Sequence, residues 1–262
     1  MDFNSIRLEV AQLAKEVGNY IKAEAENFSK SDVEIKSSNS FVSYVDKEAE
    51  KKLVDGLLKI IPEAGFIAEE GTAGNNTHQA TWIVDPLDGT TNFIHGIPCF
   101  AVSVALQWQN ELKVGVVYEI SNDECFSAAL GQGAFLNEQK IQVSKVTELS
   151  SSLIATGFPY YDYSKHQNYL DFMGFLMKKT RGLRRLGSAA TDLAYVAAGR
   201  FDTFFEYGLN PWDVAAGILL VQEAGGIVSD FSGADNYLFG SEIIASNPNL
   251  YNDFTKGLQE HF

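Results

Sequence analysis

The chain has 262 residues, 45% of them hydrophobic, enough to bury a sizeable core in one large domain or two tightly joined halves. Its 34 acidic and 20 basic residues give a formal charge of −14, which argues against a nucleic-acid surface or an anionic membrane as the main partner. No stretch approaches the roughly 18 apolar residues needed to cross a bilayer, and MDFNSIRLEV lacks the basic start and continuous apolar run expected of a secretory leader. Neither Cys99 nor Cys125 neighbours a second cysteine or a histidine, so a cytoplasmic protein with two reduced, buried thiols is expected.

In chain order, residues 5–27 predict an amphipathic helix. Ile6, Val10, Leu13, Ala14, Val17 and Ile21 recur at spacings of three and four, with Arg7, Glu9, Lys15, Glu16 and Lys22 elsewhere on the wheel. Asp46 to Ile61 predicts a second helix, stopped by Pro62. Short strands follow at Gly65–Ala68, Trp82–Val84, Phe100–Trp108, Lys113–Tyr118 and Cys125–Ala129. Gly131-Gln132-Gly133 and Leu136-Asn137-Glu138 supply turns between strands. This pattern predicts an α+β half with a largely antiparallel sheet.

From about residue 150 the texture changes to alternating strands and helices. Strands are predicted at Leu153–Thr156, Leu183–Leu186, Phe204–Tyr207 and Ile227–Val228, and helices at Asn168–Lys178, Ser188–Ala198 and Trp212–Glu223. That alternation predicts an α/β half. Two subdomains sharing one cleft are therefore expected, 1–145 carrying most of the acidic site and 146–262 carrying the rest, joined as one compact unit.

The segment TWIVDPLDGTTNF (81–93) delivers two carboxylates, Asp85 and Asp88, from an apolar strand. Pro86 keeps Asp85 out of helical geometry, so Asp85 is expected at the strand's end. A turn through Leu87 and Asp88 can then aim both carboxylates and a backbone carbonyl at one point. A partly open set of oxygen ligands is what Mg2+ prefers when it shares a phosphate. Gly89 permits close backbone approach, and the amides after it can hold a phosphate oxygen. Alone, the segment also fits an Asx-turn closing a strand.

Two further acids arrive similarly. FIAEEG places Glu69 at the end of a strand, and NPWDVAAG places Asp213 in the first turn of an apolar helix. Each has an ordinary reading, as a surface glutamate or as a charge complementing the helix dipole. Asp46, at the start of its helix, fits a cap. Acids from three separate places fit one shared metal cleft better than three coincidences.

Competing phosphatase chemistries fail on spacing. The paired aspartates of the haloacid dehalogenase kind stand two apart, whereas Asp85 and Asp88 are three apart. A cysteine phosphatase needs Arg six residues after Cys, and Ala105 and Gly131 occupy those places. The four histidines are scattered, suggesting neither a phosphohistidine nor a zinc site, and no GxxxxGK[ST] loop is present.

IVDPLDGTTNF and NPWDVAAG closely resemble the two signatures of the inositol monophosphatase family, within the wider lithium-sensitive phosphatase group. IKSSNSFVSYVDKEAE, FIAEEG, RRLGSAATDLAYVAAGRFD, EAGGIVSDFSG and IIASNP resemble further family segments in the usual order. Asn210-Pro211 before Trp212 marks a bacterial-type member. The resemblance implies a layered α-β-α-β-α sandwich of the inositol monophosphatase and fructose-1,6-bisphosphatase type. It implies two or three Mg2+ held by Glu69, Asp85, the Leu87 carbonyl, Asp88 and Asp213, with Asp85 bridging two ions.

By the same likeness Thr90 with Glu69 orients and activates the attacking water, and Asp46 joins them in the catalytic set. Lys36 and Asp46 match positions near the family's active-site loop and a further metal site. Asp88, Gly89, Thr90, Gly187, Ser188, Ala189, Glu206 and Asp213 form the implied substrate site. The implied reaction is hydrolysis of a small phosphate monoester by metal-activated water, inositol 1-phosphate before the others. The alternatives are fructose 1,6-bisphosphate, adenosine 3′,5′-bisphosphate, NADP and histidinol phosphate. Lithium sensitivity and a homodimer come with the likeness.

A regulatory binding protein on this fold, for instance a partner of the transcription machinery, is the reading of a different class. Arg181, Arg184, Arg185 and Arg200, four of the five arginines, fit a solvated or dimer-facing surface, or one that steers substrate.

Overall fold

Three apolar stripes and two sheets account for the architecture. The computed structural model describes residues 1–26, 33–37, 40–73, 78–159 and 161–262, the side chains of 33–37 and 40–42 excepted. Helix α1 (Phe3–Ala25) is capped by Asp2, whose carboxylate accepts the Asn4 amide at 3.1 Å. Its buried stripe Ile6, Val10, Ala14, Val17 and Ile21 is the one that the spacing predicts. Strands β1 (Val33–Ser37) and β2 (Ser40–Ser43) pair antiparallel as a separate ribbon, two strands that the sequence analysis does not propose. Helix α2 (Tyr44–Ile60) starts two residues earlier than the sequence suggests. Ser43, not Asp46, is its N-cap. Asp46 sits at the third helical position and accepts the Ser43 amide at 2.9 Å, closing a capping box.

The first sheet contains β3 (Gly65–Ala68), β4 (Ala80–Asp88), β5 (Ala101–Trp108), β6 (Glu111–Glu119), β7 (Glu124–Ala129), β8 (Gly133–Leu136) and β9 (Gln139–Ile141), side by side in chain order. β3 runs parallel to β4 and every later pair is antiparallel. The short helix α3 (Thr90–His95) leads from β4 towards β5.

The second sheet has the order β11-β10-β12-β14-β13, with β10 (Leu153–Thr156), β11 (Gly182–Arg184), β12 (Thr203–Tyr207), β13 (Ile227–Ser229) and β14 (Glu242–Ser246). β10 is parallel to both its neighbours, as strand–helix alternation implies. β14 runs antiparallel to β12 and β13. Its helical counterpart at the end of the chain is α7 (Tyr251–Gln259).

Alternating side chains sort these sheets into a five-layer α-β-α-β-α sandwich. Trp82, Val84, Val102, Val104 and Tyr118 face α1 and α2. Ile83, Ala105, Val117 and Phe126 face the middle layer, formed by α5 (Ala189–Ala197) and α6 (Pro211–Glu223). Ala155, Phe204, Ile243 and Ala245 meet that layer from the second sheet. Behind them Ile154, Phe205 and Ile244 pack on α4 (His166–Lys179) and α7 through Phe172, Leu176, Phe254 and Leu258. Cys99 and Cys125 are free and buried, and among the described residues no helix is long and apolar enough to cross a membrane.

The middle layer fits because small residues let backbones approach. A Cβ on Gly115 of β6 would stand 2.7 Å from the Ala216 carbonyl oxygen of α6. Gly115→Val should therefore push α6 off the sheet and cost about 2–3 kcal/mol. Denaturant midpoints of the two proteins measure this, with an unchanged midpoint contradicting the packing.

Candidate active site

Strand β4 does not stop at Asp85 as the Pro86 argument predicts. It continues through Pro86 to Asp88, with Asp85 opposite Ser103 and Asp88 opposite Ala101, so one extra residue is inserted on β4. This bulge turns the strand and places Asp85 and Asp88 on the same side. The Asp85 carboxylate accepts the Leu87 amide at 2.9 Å, which holds the bulge. Gly89 follows with a φ of 91°, and a Cβ there would meet the Cys99 carbonyl oxygen at 2.9 Å. Both conditions call for glycine.

Asp213 comes from the first turn of α6. Pro211 opens this helix, and the Asp213 carboxylate accepts the Asn210 amide at 2.7 Å. The Ser103 hydroxyl of β5 donates to the Trp212 carbonyl at 3.2 Å and fixes the helix start against the first sheet. One carboxylate oxygen from each of Asp85, Asp88 and Asp213 lies within 4.8 Å of the others, a donor set suited to a hard cation. Glu69, just past β3, lines the same pocket. The pocket is also lined by Leu87, Gly89, Thr90, Gly187, Ser188 and Ala189, and by Glu206 from β12.

These carboxylates oppose one another. Burial, then repulsion from Glu69, Asp88 and Asp213, holds Asp85 well above the usual carboxylate range. Burial, then Asp88, does the same to Asp213. Asp88 is pushed up to about 6 by burial, although the Ser188 hydroxyl (2.6 Å) and the Ala190 amide (2.7 Å) donate to it and favour its charged form. Ser188 therefore anchors a carboxylate as well as lining the pocket. Burial, then Asp213, raises Glu206, while the Arg185 charge acts the other way.

Asp46 is 1% exposed and stands behind Thr90, whose hydroxyl lies 2.9 Å from its carboxylate and 3.0 Å from the Leu87 carbonyl. Burial raises Asp46, against hydrogen bonds from Ser43 and Thr90. The side chain of Lys36 lies outside the described residues. Of the four arginines clustered in the sequence, Arg185 lines the pocket. Arg200 pairs with Glu124 at 2.6 Å, and Arg184 is exposed.

Three supporting residues escape the sequence reading. Glu50 is fully buried on α2 and accepts the Glu70 amide (2.7 Å) and the Thr72 amide (2.6 Å), so it pins the loop that carries Glu69. Asn92 donates to the carbonyls of Cys99 and Leu186, both at 2.8 Å, tying the α3 turn to the approach to α5. Asp192, on α5, is 1% exposed and lines the pocket. Glu50 carried a signal: it falls four residues after Asp46 on the apolar face made by Val45, Ala49, Leu53 and Leu57. A charge on that face needs a buried partner.

A layered sandwich with an acidic cleft between its two sheets is the architecture of a class of phosphatases that act on small phosphorylated substrates. The chain belongs to the inositol monophosphatase family, whose sequence pattern matches residues 5–261. It is 46% identical over 238 residues to the Nus factor SuhB of Escherichia coli strain K12, covering 90% of this chain and 89% of that protein. It is 40% identical over 252 residues to the inositol-1-monophosphatase of Mesorhizobium japonicum, covering 96% and 95%. The crystal structure of the extragenic suppressor protein suhB from Bartonella henselae superposes with a TM-score of 0.92 at 41% identity, covering 98% of this chain and 100% of that one.

The raised carboxyls fix a sign. A group such as Asp88, with a folded pKa of about 6 against an ordinary 3.8, supports the fold fully below about pH 4. That support is lost as the pH rises through 6, unless a cation restores it. In chelator, the melting temperature of the native protein should fall relative to Asp88→Asn between pH 4 and 7. A divalent cation should raise the native melting temperature more at pH 7.5 than at pH 5. A cation effect independent of pH would contradict the electrostatic account.

Proposed function

We infer that this protein hydrolyses a small phosphate monoester with Mg2+ as cofactor, inositol 1-phosphate being its best substrate among the family's range. The observation that carries this reading is the convergence of Asp85, Asp88 and Asp213 on one point within 4.8 Å. Three carboxylates that repel one another, Asp85 buried and Asp88 and Asp213 half-buried, fit divalent cations, which remove the repulsion that desolvation makes costly. In this reading Glu69, Asp85, the Leu87 carbonyl, Asp88 and Asp213 hold two or three Mg2+. Bound Mg2+ supplies charge neutralisation of the phosphate, a lowered water pKa and stabilisation of the departing alkoxide. The same charge makes an acidic cleft attractive to an anion in a protein of net charge −14.

The chain's own groups then handle orientation and protons. The single Thr90 hydroxyl proton goes to Asp46 in preference to the neutral Leu87 carbonyl, because a carboxylate is the stronger acceptor. Thr90 Oγ1 is left with lone pairs for the attacking water, and Glu69 is the second acceptor. Gly89 and Thr90 meet the phosphate, and Gly187, Ser188, Ala189 and Glu206 line the space for the alcohol. Water attacks in line with the leaving oxygen, and no covalent intermediate on the protein is required.

Asp88→Asn should lower turnover of inositol 1-phosphate by about two to four orders of magnitude, with an unchanged circular dichroism spectrum. Near-native turnover would sink the assignment. Activity across a panel of inositol 1-phosphate, fructose 1,6-bisphosphate, adenosine 3′,5′-bisphosphate, NADP and histidinol phosphate should need Mg2+, be inhibited by Li+ and be greatest on the first. Full activity in excess chelator would contradict the cofactor, and preference for another ester would reassign the substrate.

A second reading is favoured by the name Nus factor given to the Escherichia coli relative. On it the chain also binds a component of the transcription machinery. Pull-down with the Asp88→Asn protein separates this role from catalysis, since a scaffold keeps its partner when turnover is lost.

A further inference from the structure

The pocket has a second acidic wall behind the aspartate triad. Asp192 on α5 is 1% exposed and Glu206 on β12 is 5% exposed, and both line the cavity. Buried carboxylates elsewhere in this protein collect donors, as physical chemistry requires. Asp46 takes Ser43 and Thr90, Glu50 takes Glu70 and Thr72, and Asp202 takes the Ser144 hydroxyl and the Leu153 amide. Asp192 departs from this pattern, because its Oδ1 is buried with no hydrogen-bond partner.

Packing does not explain the acid. Its helix neighbours Ala190, Leu193, Ala194 and Val196 are buried and apolar, so this is a site where an uncharged side chain would fold at lower cost. Glu206 is accommodated with comparable specificity. A Cβ on Gly157 would come within 2.3 Å of the Glu206 carboxylate, so bare backbone makes its slot. Among the described residues lining the pocket, Arg185 is the one basic side chain, and it stands over the Phe158 ring at 5.5 Å from the centroid.

We propose that Asp192 is a specificity-determining residue whose carboxylate, in the pocket wall with Glu206, accepts hydroxyl hydrogens from the alcohol part of the substrate. Two carboxyl groups select a partner rich in hydroxyls, and a hydroxyl-bearing ring supplies one. A second phosphate in the same place would bring an anion against two carboxylates with one guanidinium to offset them. This assignment rests on the phosphatase reading.

The test compares native protein and Asp192→Asn, with saturating Mg2+, on inositol 1-phosphate and on p-nitrophenyl phosphate, whose ring carries no hydroxyl. A lost hydrogen bond to a charged acceptor corresponds to about a ten- to hundredfold loss. The fall in kcat/KM should be at least about tenfold larger on inositol 1-phosphate than on p-nitrophenyl phosphate, carried mainly by KM. Equal losses on both esters, no loss on either, or a loss cancelled by raising Mg2+ would overturn the assignment, the last marking Asp192 as support for the cation.

A second arm leaves the native fold intact. Among inositol 1-phosphates lacking one ring hydroxyl, at least one should be turned over about tenfold less efficiently by the native protein. That analogue should show no further loss on Asp192→Asn. Native protein that treats every deoxy analogue like the parent ester overturns the proposal even if the variant fails to fold. Native protein inactive on both inositol 1-phosphate and p-nitrophenyl phosphate overturns the phosphatase reading, and this assignment with it.

Discussion

Asp85, Asp88 and Asp213 repel one another, yet one oxygen from each lies within 4.8 Å of the others. Left to themselves in a flexible chain these side chains would separate and hydrate. Their convergence is imposed by rigid elements on either side: the bulge of β4 fixes two of them, and the first turn of α6 fixes the third. Everything nearby reads as restraint on that arrangement. Leu87 and Asn210 donate backbone amides to Asp85 and Asp213, while Ser188 and Ala190 hold Asp88. Each bond favours the charged form locally, and burial works against it. The protein thus stores an unfavourable electrostatic arrangement in a framework of apolar contacts.

That framework is the middle layer. Helix α6 packs on β4, β5, β6 and β7 of the first sheet and on α5, so the position of Asp213 is set by the same contacts that join the layers. Gly115 allows this approach, because any side chain there would meet the Ala216 backbone. The polar contact of Ser103 with the Trp212 carbonyl adds a directional restraint where apolar packing has none. A site built this way cannot be loosened on one side without disturbing the core on the other.

Much of this was legible before the structure. The three-and-four spacing of α1 and α2, the apolar runs of β3 to β7 and the acids at Glu69, Asp85, Asp88 and Asp213 were all read from local pattern, and the two motif segments carried the family. Regions governed by long-range pairing were not. The β4 bulge depends on β5 lying opposite, so Pro86 considered locally predicts the end of a strand that in fact continues past it. β8, β9 and β14 are held by neighbours rather than by an intrinsic period, and β14 finds its place only between β12 and β13. Asp46 fits a cap by local pattern although Ser43 occupies that position, since the capping box reverses the expected roles. Asp192 hid among small residues, and nothing local says that its carboxylate lacks a donor.

The order of strands in the second sheet bears on how the molecule is made. β13 precedes β14 in the chain, but β14 lies between it and β12. On a ribosome, β13 must therefore wait for the next strand before it can join the sheet. Glu69, Asp85 and Asp88 emerge long before Asp213, and the sheet behind α6 closes only when residues 242–246 have been added. A nascent chain consequently carries an incomplete set of carboxylates through most of its synthesis. The convergence of all three aspartates therefore becomes possible only late in synthesis, once α6 has been made.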